Sequence, residues 1–152
     1  MSRRPSFSGI IISHLGNIAG RQPEQENSLV YLKAALTAGW HVMAEVTFQN
    51  GAFFLPTAKG AVYAPPSFFS GQRVWCRATD PTTLDALCNV GAHCFSGGFG
   101  PYVLTSHQFF WTLPDNQLVD RSIAVYPELG SPDWLNAAEP AGICSNEPAA
   151  YL

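Results

Sequence analysis

The spacing of apolar residues changes character along this chain. Gly9-Ile10-Ile11-Ile12-Ser13 is a continuous β-branched run, the pattern of a strand covered on both faces, and His14 lies at its carboxyl end. A polar loop from Gly16 to Gln25 follows. Asn27-Ser28 then offers a helix N-cap, with Leu29, Leu32 and Leu36 on one helical face and Gly39 to close the helix. Trp40 to Thr47 predicts a second strand, Asn50-Gly51 a tight turn, and Ala52 to Leu55 its hairpin partner. Pro56 to Gln72 is rich in Pro, Gly, Ser and Ala and predicts a loop.

The next unit is the clearest. Val74 to Arg77 predicts a strand, Asp80 an N-cap, and Pro81 the first helical residue. Leu84, Leu87 and Cys88 share a helical face, Gly91 ends the helix, and Ala92 to Phe95 predicts a further strand. Strand, helix and strand in that order imply a parallel pair. Beyond this point the helical spacing stops. Tyr102 to Thr105, Phe109 to Thr112, Ser122 to Tyr126 and Gly142 to Ser145 predict short strands, and Glu147 to Leu152 a loose tail.

Composition narrows the function classes. The chain has 152 residues, and one domain is expected over 1–152 with a core at about 9–145. Hydrophobic residues make up 47% and charged residues 12%. That charged share is roughly half the usual 25%. The net charge of −3 provides no basic field, so no nucleic-acid partner is expected. No apolar run approaches a membrane span, and Gly9 to Ile12 behind Arg3-Arg4 is too short for a signal segment, so a cytoplasmic location is expected. Cys76, Cys88, Cys94 and Cys144 form no Cys-x-x-Cys pair and sit among apolar residues, which predicts buried free thiols.

A series of short words, in order, resembles the glycerophosphodiester phosphodiesterase-like family. Ile12-Ser13-His14-Leu15-Gly16-Asn17 resembles its opening His-Arg-Gly-Asn word, and Glu26-Asn27-Ser28 its Glu-Asn-Ser/Thr word. Ala38 to Val46 resembles the strand carrying Glu-x-Asp-Val, and Trp75-Cys76-Arg77-Ala78 resembles Trp-Cys-His-Ala-Lys. His93-Cys94-Phe95, Thr105-Ser106, Phe110-Trp111-Thr112, Val125-Tyr126-Pro127-Glu128 and Ala141 to Ser145 extend the match over most of residues 10 to 145. The resemblance implies an α/β fold related to the TIM barrel. A full barrel takes about 250 residues, so a small, incomplete and irregular TIM-like barrel is expected, with a largely parallel sheet and few outer helices.

The resemblance also implies His14 as an acid/base, Glu26 and Glu45 as ligands of a divalent cation (Mg or Ca), and a site at the carboxyl ends of the strands. Asn27 and Arg77 are expected to contact ligand. The departures concentrate on polar positions. Met43 stands where the first carboxylate of Glu-x-Asp belongs, and Glu45 replaces the second. Leu15 replaces an arginine, Arg77 a histidine and Thr79 a lysine. Pro56-Thr57-Ala58 replaces the word with the second histidine, and Ser96-Gly97-Gly98 replaces a His-Gln run.

The leading expectation is therefore a catalytically impaired domain that binds a phosphorylated or polar small molecule. An active metal-dependent phosphodiester hydrolase is the alternative, with His14, Glu26 and Glu45 as its centre. A third reading is an interaction module presenting the apolar stretch Ala64 to Phe69. Arg77 either binds an anion or pairs with Glu45. His41, His93 and His107 are expected to be structural, and Gly97-Gly98-Phe99-Gly100 lacks the Lys-Ser/Thr of a phosphate loop.

Overall fold

The computed structural model describes residues 7–97 and 100–152. Arg3, Arg4, Gly98 and Phe99 thus lie outside the described residues. The strands are β1 (Ile10–His14), β2 (His41–Gln49), β3 (Ala52–Thr57), β4 (Gly60–Ala64), β5 (Val74–Ala78), β6 (His93–Ser96), β7 (Tyr102–Leu104), β8 (Phe110–Thr112), β9 (Ser122–Val125) and β10 (Gly142–Ser145). Two α-helices intervene, α1 (Leu29–Thr37) and α2 (Pro81–Asn89). Both begin where the capping residues stand. Ser28 Oγ accepts from the Tyr31 N–H, and Asp80 accepts from the Thr83 N–H behind Pro81.

β1 lies between β2 and β10, parallel to both. β2 also pairs in parallel with β5, and β5 with β6. On the other side β10 pairs in parallel with β9, and β9 with β8. The β2–β3, β3–β4 and β7–β8 pairings are antiparallel. The sheet is therefore mixed and open, and it does not form the TIM-like barrel with a largely parallel sheet that the sequence suggested. No ladder joins β6 to β7 or β8 among the described residues. Instead the loop after β7 covers the free edge of β6: the Ser106 N–H donates to the Cys94 carbonyl at 2.8 Å, and Ser106 Oγ accepts from the Cys94 N–H at 2.9 Å. The segment beyond β6 has turns in place of amphipathic helices, so the outer layer a barrel requires is missing.

The face shared by alternate residues is packed. Ile12, Met43, Trp75, Phe95, Trp111 and Val125 meet in one cluster contributed by six strands. Leu32, Ala35, Val46, Cys76 and Leu87 fill the space between the sheet and the helices. Each large apolar side chain buried this way contributes roughly 1.5–3 kcal/mol before ordering entropy is subtracted.

Three local expectations change. The stretch expected to be a loop from Pro56 to Gln72 instead completes β3, forms β4 and makes a 3-10 turn at Pro66–Ser70. Thr57 Oγ1 closes the intervening turn, accepting from Lys59 N and donating to the Gly60 carbonyl. Ala64 and Phe69 are fully buried, and Phe69 packs on Phe53 with ring centroids 5.1 Å apart, while within the same stretch Pro66 is exposed and Phe68 half-buried. The tail is also held: Pro148–Tyr151 is a 3-10 turn, Tyr151 is buried, and its carbonyl accepts from Phe7 N at 2.7 Å. Among the described residues no helix is long and apolar enough to cross a membrane.

Candidate ligand-binding site

Parallel register decides what meets at the carboxyl ends of the strands. Ser13 lies beside Ser145, and Cys144 beside Val125. The residues that directly follow Ser13, Ser145 and Val125, namely His14, Asn146 and Tyr126, are therefore brought to one place. Tyr126 makes its turn in the left-handed region at φ 52°.

The protonation of His14 follows from a fixed point in the backbone. The Gln22 N–H donates to Asn17 Oδ1 at 3.1 Å, and the Tyr31 hydroxyl donates to the same oxygen at 3.1 Å. This orients the Asn17 amide, so Nδ2 donates to Glu26 Oε2 at 2.7 Å and to Asn146 Oδ1 at 3.0 Å. Asn146 Oδ1 is then an acceptor, and His14 Nδ1–H donates to it at 2.8 Å. His14 Nε2 carries no proton and accepts from the Tyr126 hydroxyl at 2.8 Å. Burial pulls the His14 pKa from 6.5 down to about 4, against the opposing hydrogen bond to Asn146. Burial also pushes the Tyr126 hydroxyl up to about 12. The pair is neutral near pH 7, and both imidazole nitrogens are occupied by protein groups.

Glu26 is buried and already paired. Arg21 Nε meets its Oε2 and Arg21 Nη2 its Oε1, each at 3.0 Å. This bidentate contact is the main cause holding the Glu26 carboxyl below its ordinary pKa, against burial and with help from Asn17. Asn27 sits at φ 66°, and its side chain is consumed by backbone. Nδ2 donates to the carbonyls of Glu45 and Pro56 at 2.8 and 2.9 Å, while Oδ1 accepts from Glu45 N at 2.9 Å. It fastens the start of α1 to β2 and β3, with both amide hydrogens engaged by backbone carbonyls.

Glu45 and Arg77 stand opposite one another on β2 and β5. They share a face with Met43 and Trp75, one pleat nearer the mouth. Neither side chain has a hydrogen-bond or ion-pair partner among the described residues. Arg77 divides two clefts. One, of about 200 Å³, has walls of Met43, Phe95, Trp111, Val125 and Tyr126. The other, of about 370 Å³, is lined by Glu45, Thr79, Asp80, Pro81 and Ser96. Gly97 borders both, and Arg77 Nε lies 2.5 Å from the point a Cβ on Gly97 would occupy. The absence of a side chain there is what leaves room for the guanidinium.

The sequence-predicted residues thus fall into three settings. His14 and Glu26 share one network with Asn17, Arg21, Tyr126 and Asn146. Glu45 and Arg77 face the adjoining clefts, and Asn27 is scaffold. Among the described residues no group of three or more His, Cys, Asp or Glu side chains is placed to hold a metal ion. Comparison with protein-family models, curated proteins and solved structures finds no match for this chain.

Sequence reasoning did not assign roles to Arg21, Tyr126 or Asn146. For Tyr126 and Asn146 the available signal was position, since each directly follows the last residue of a strand. Two other histidines make internal contacts: Trp75 Nε1–H donates to His41 Nδ1 at 3.1 Å, and His93 Nε2 lies 2.7 Å from Thr105 Oγ1. Cys88 is exposed, not buried as its apolar neighbours suggested.

Proposed function

We propose that this protein binds a small hydroxyl-bearing phosphate ester at the mouth of the sheet, with Arg77 as the anion anchor, and does not hydrolyse it. The observation that carries the reading is the Arg77 guanidinium, which has no protein partner among the described residues and borders two clefts. A planar guanidinium presents paired donors to phosphate oxygens. Glu45 across the same cleft accepts hydrogen bonds from hydroxyls of the bound ester and disfavours a second phosphate nearby.

The absence of turnover is argued from occupied groups. For His14 to act as the general acid or base, one of its ring nitrogens must reach the substrate. Both His14 nitrogens are bonded to Asn146 and Tyr126. A divalent cation needs convergent carboxylate oxygens. Those of Glu26 are bonded to Arg21 and Asn17, while Glu45 lies in the neighbouring cleft with Arg77. This fits the resemblance of the ordered words to phosphodiesterases whose polar positions are replaced.

Calorimetric titration with glycerol 3-phosphate tests the reading. Saturable binding, weakened at least about tenfold by Arg77→Gln, is expected, since a charge-assisted hydrogen bond contributes about 1.5–3 kcal/mol. No diester hydrolysis above background is expected with added Mg²⁺ or Ca²⁺. Metal-dependent turnover abolished by His14→Ala would establish the active hydrolase instead.

A further inference from the structure

Cys88 is the penultimate residue of α2, and Cys94 is the second residue of β6. Their Sγ atoms are 3.6 Å apart. The connection that sets this distance is tied by backbone hydrogen bonds, from Gly91 N to the Cys88 carbonyl and from Ala92 N to the Leu87 carbonyl, both 3.0 Å. The two thiols differ in access. Cys88 is exposed and Cys94 is buried. The other two thiols, Cys76 and Cys144, are buried as well. A reagent in solution therefore meets Cys88 first, and the sulfur already touching Cys88 is that of Cys94.

We propose that Cys88 and Cys94 are a site of reversible oxidation, closing an internal disulfide by exchange with a small-molecule disulfide of the glutathione type. A disulfide bond is about 2.05 Å long, so the two sulfurs must approach by about 1.5 Å, within reach of side-chain rotation at exposed Cys88. In the first step the Cys88 thiolate attacks one sulfur of glutathione disulfide. The glutathione S–S bond breaks, one glutathione thiolate leaves, and Cys88 carries a mixed disulfide. In the second step Cys94 gives its proton to solvent and attacks Cys88 Sγ. The Cys88–Cys94 bond forms and the second glutathione leaves. Two protein thiols are oxidised and one glutathione disulfide is reduced to two thiols. Burial, with a contribution from Cys88 itself, raises the Cys94 thiol to about 11, so Cys94 resolves the exchange and does not open it. The bond pins the end of α2 to β6, the strand that leads into Ser96 and Gly97 beside Arg77.

Tryptic mapping tests this directly. Cleavage after Arg73, Arg77 and Arg121 places Cys76, the Cys88–Cys94 pair and Cys144 on three separate peptides. Folded protein is equilibrated with glutathione disulfide, then denatured, alkylated and digested. Peptide 78–121 is expected to be unalkylated and lighter by two hydrogen atoms, with Cys76 and Cys144 alkylated. Cys88→Ser, a change at an exposed position, is expected to leave Cys94 reduced and alkylated. Three results would each overturn the proposal: accumulation of glutathione on Cys88 beside a free Cys94, a cross-link from Cys76 to peptide 78–121, or full alkylation of every cysteine.

Discussion

Replacing His14 with glutamine should flatten the acid side of the stability curve. In the folded protein burial holds His14 neutral until about pH 4, while in the unfolded chain it takes up a proton near its ordinary 6.5. Between those values the unfolded state binds more protons, so stability rises with pH. The contribution is fully present above pH 6.5, falls as the pH drops through the window, and is exhausted below about pH 4. At about 1.4 kcal/mol per pH unit, the whole effect is about 3.4 kcal/mol, and roughly 2.5 kcal/mol of it is lost by pH 4.5. Urea unfolding of wild type and His14→Gln at about pH 7.5 and 4.5 measures it. His93 is also held down, to about 3, by burial first and then by His107 and His41, but it is common to both proteins and cancels in the difference. Wild type should lose about 2.5 kcal/mol more than the variant on acidification. Equal losses in the two proteins would show that His14 is not held neutral by its burial.

Three further changes probe the same region. Tyr126→Phe removes the hydroxyl that donates to His14 Nε2, leaves that buried acceptor unpaired, and should cost about 1–2 kcal/mol in urea unfolding. Asn27→Ala removes three hydrogen bonds to backbone at a positive φ, so a loss of about 3 kcal/mol is expected, with the thermal midpoint as a second readout. Gly97→Ala places a methyl against Arg77 Nε. Because a flexible side chain yields more easily than backbone, stability should change little, while titration should show glycerol 3-phosphate affinity reduced by about tenfold.

Much of the first half of the fold is legible in local chemistry. The β-branched run at Ile10–Ile12, the caps Ser28 and Asp80, and Pro81 at a helix start each act within a few residues, and the structure uses them as the sequence suggests. What stays hidden depends on distant partners. β4 reads as loop because it lies in a stretch rich in Pro, Gly, Ser and Ala, and it is a strand because β3 pairs with it. Closure of the sheet depends on whether a ladder forms at the free edge of β6, and the Ser106 loop occupies that edge. The site follows the same division. That His14 stands at a strand end is visible in sequence. That Arg21 captures Glu26, and that Asn27 spends its amide on Glu45 and Pro56, depends on loop geometry that spacing alone does not specify.

The most direct test of the account is the Arg77 guanidinium itself. Its Nε–H resonance can be assigned in nitrogen-15 labelled protein by its loss in Arg77→Gln, then followed while glycerol 3-phosphate is added. The account predicts a saturable shift of that resonance, with the ester remaining intact in the tube. A resonance that stays in place while the ester binds elsewhere, or does not bind at all, would contradict it.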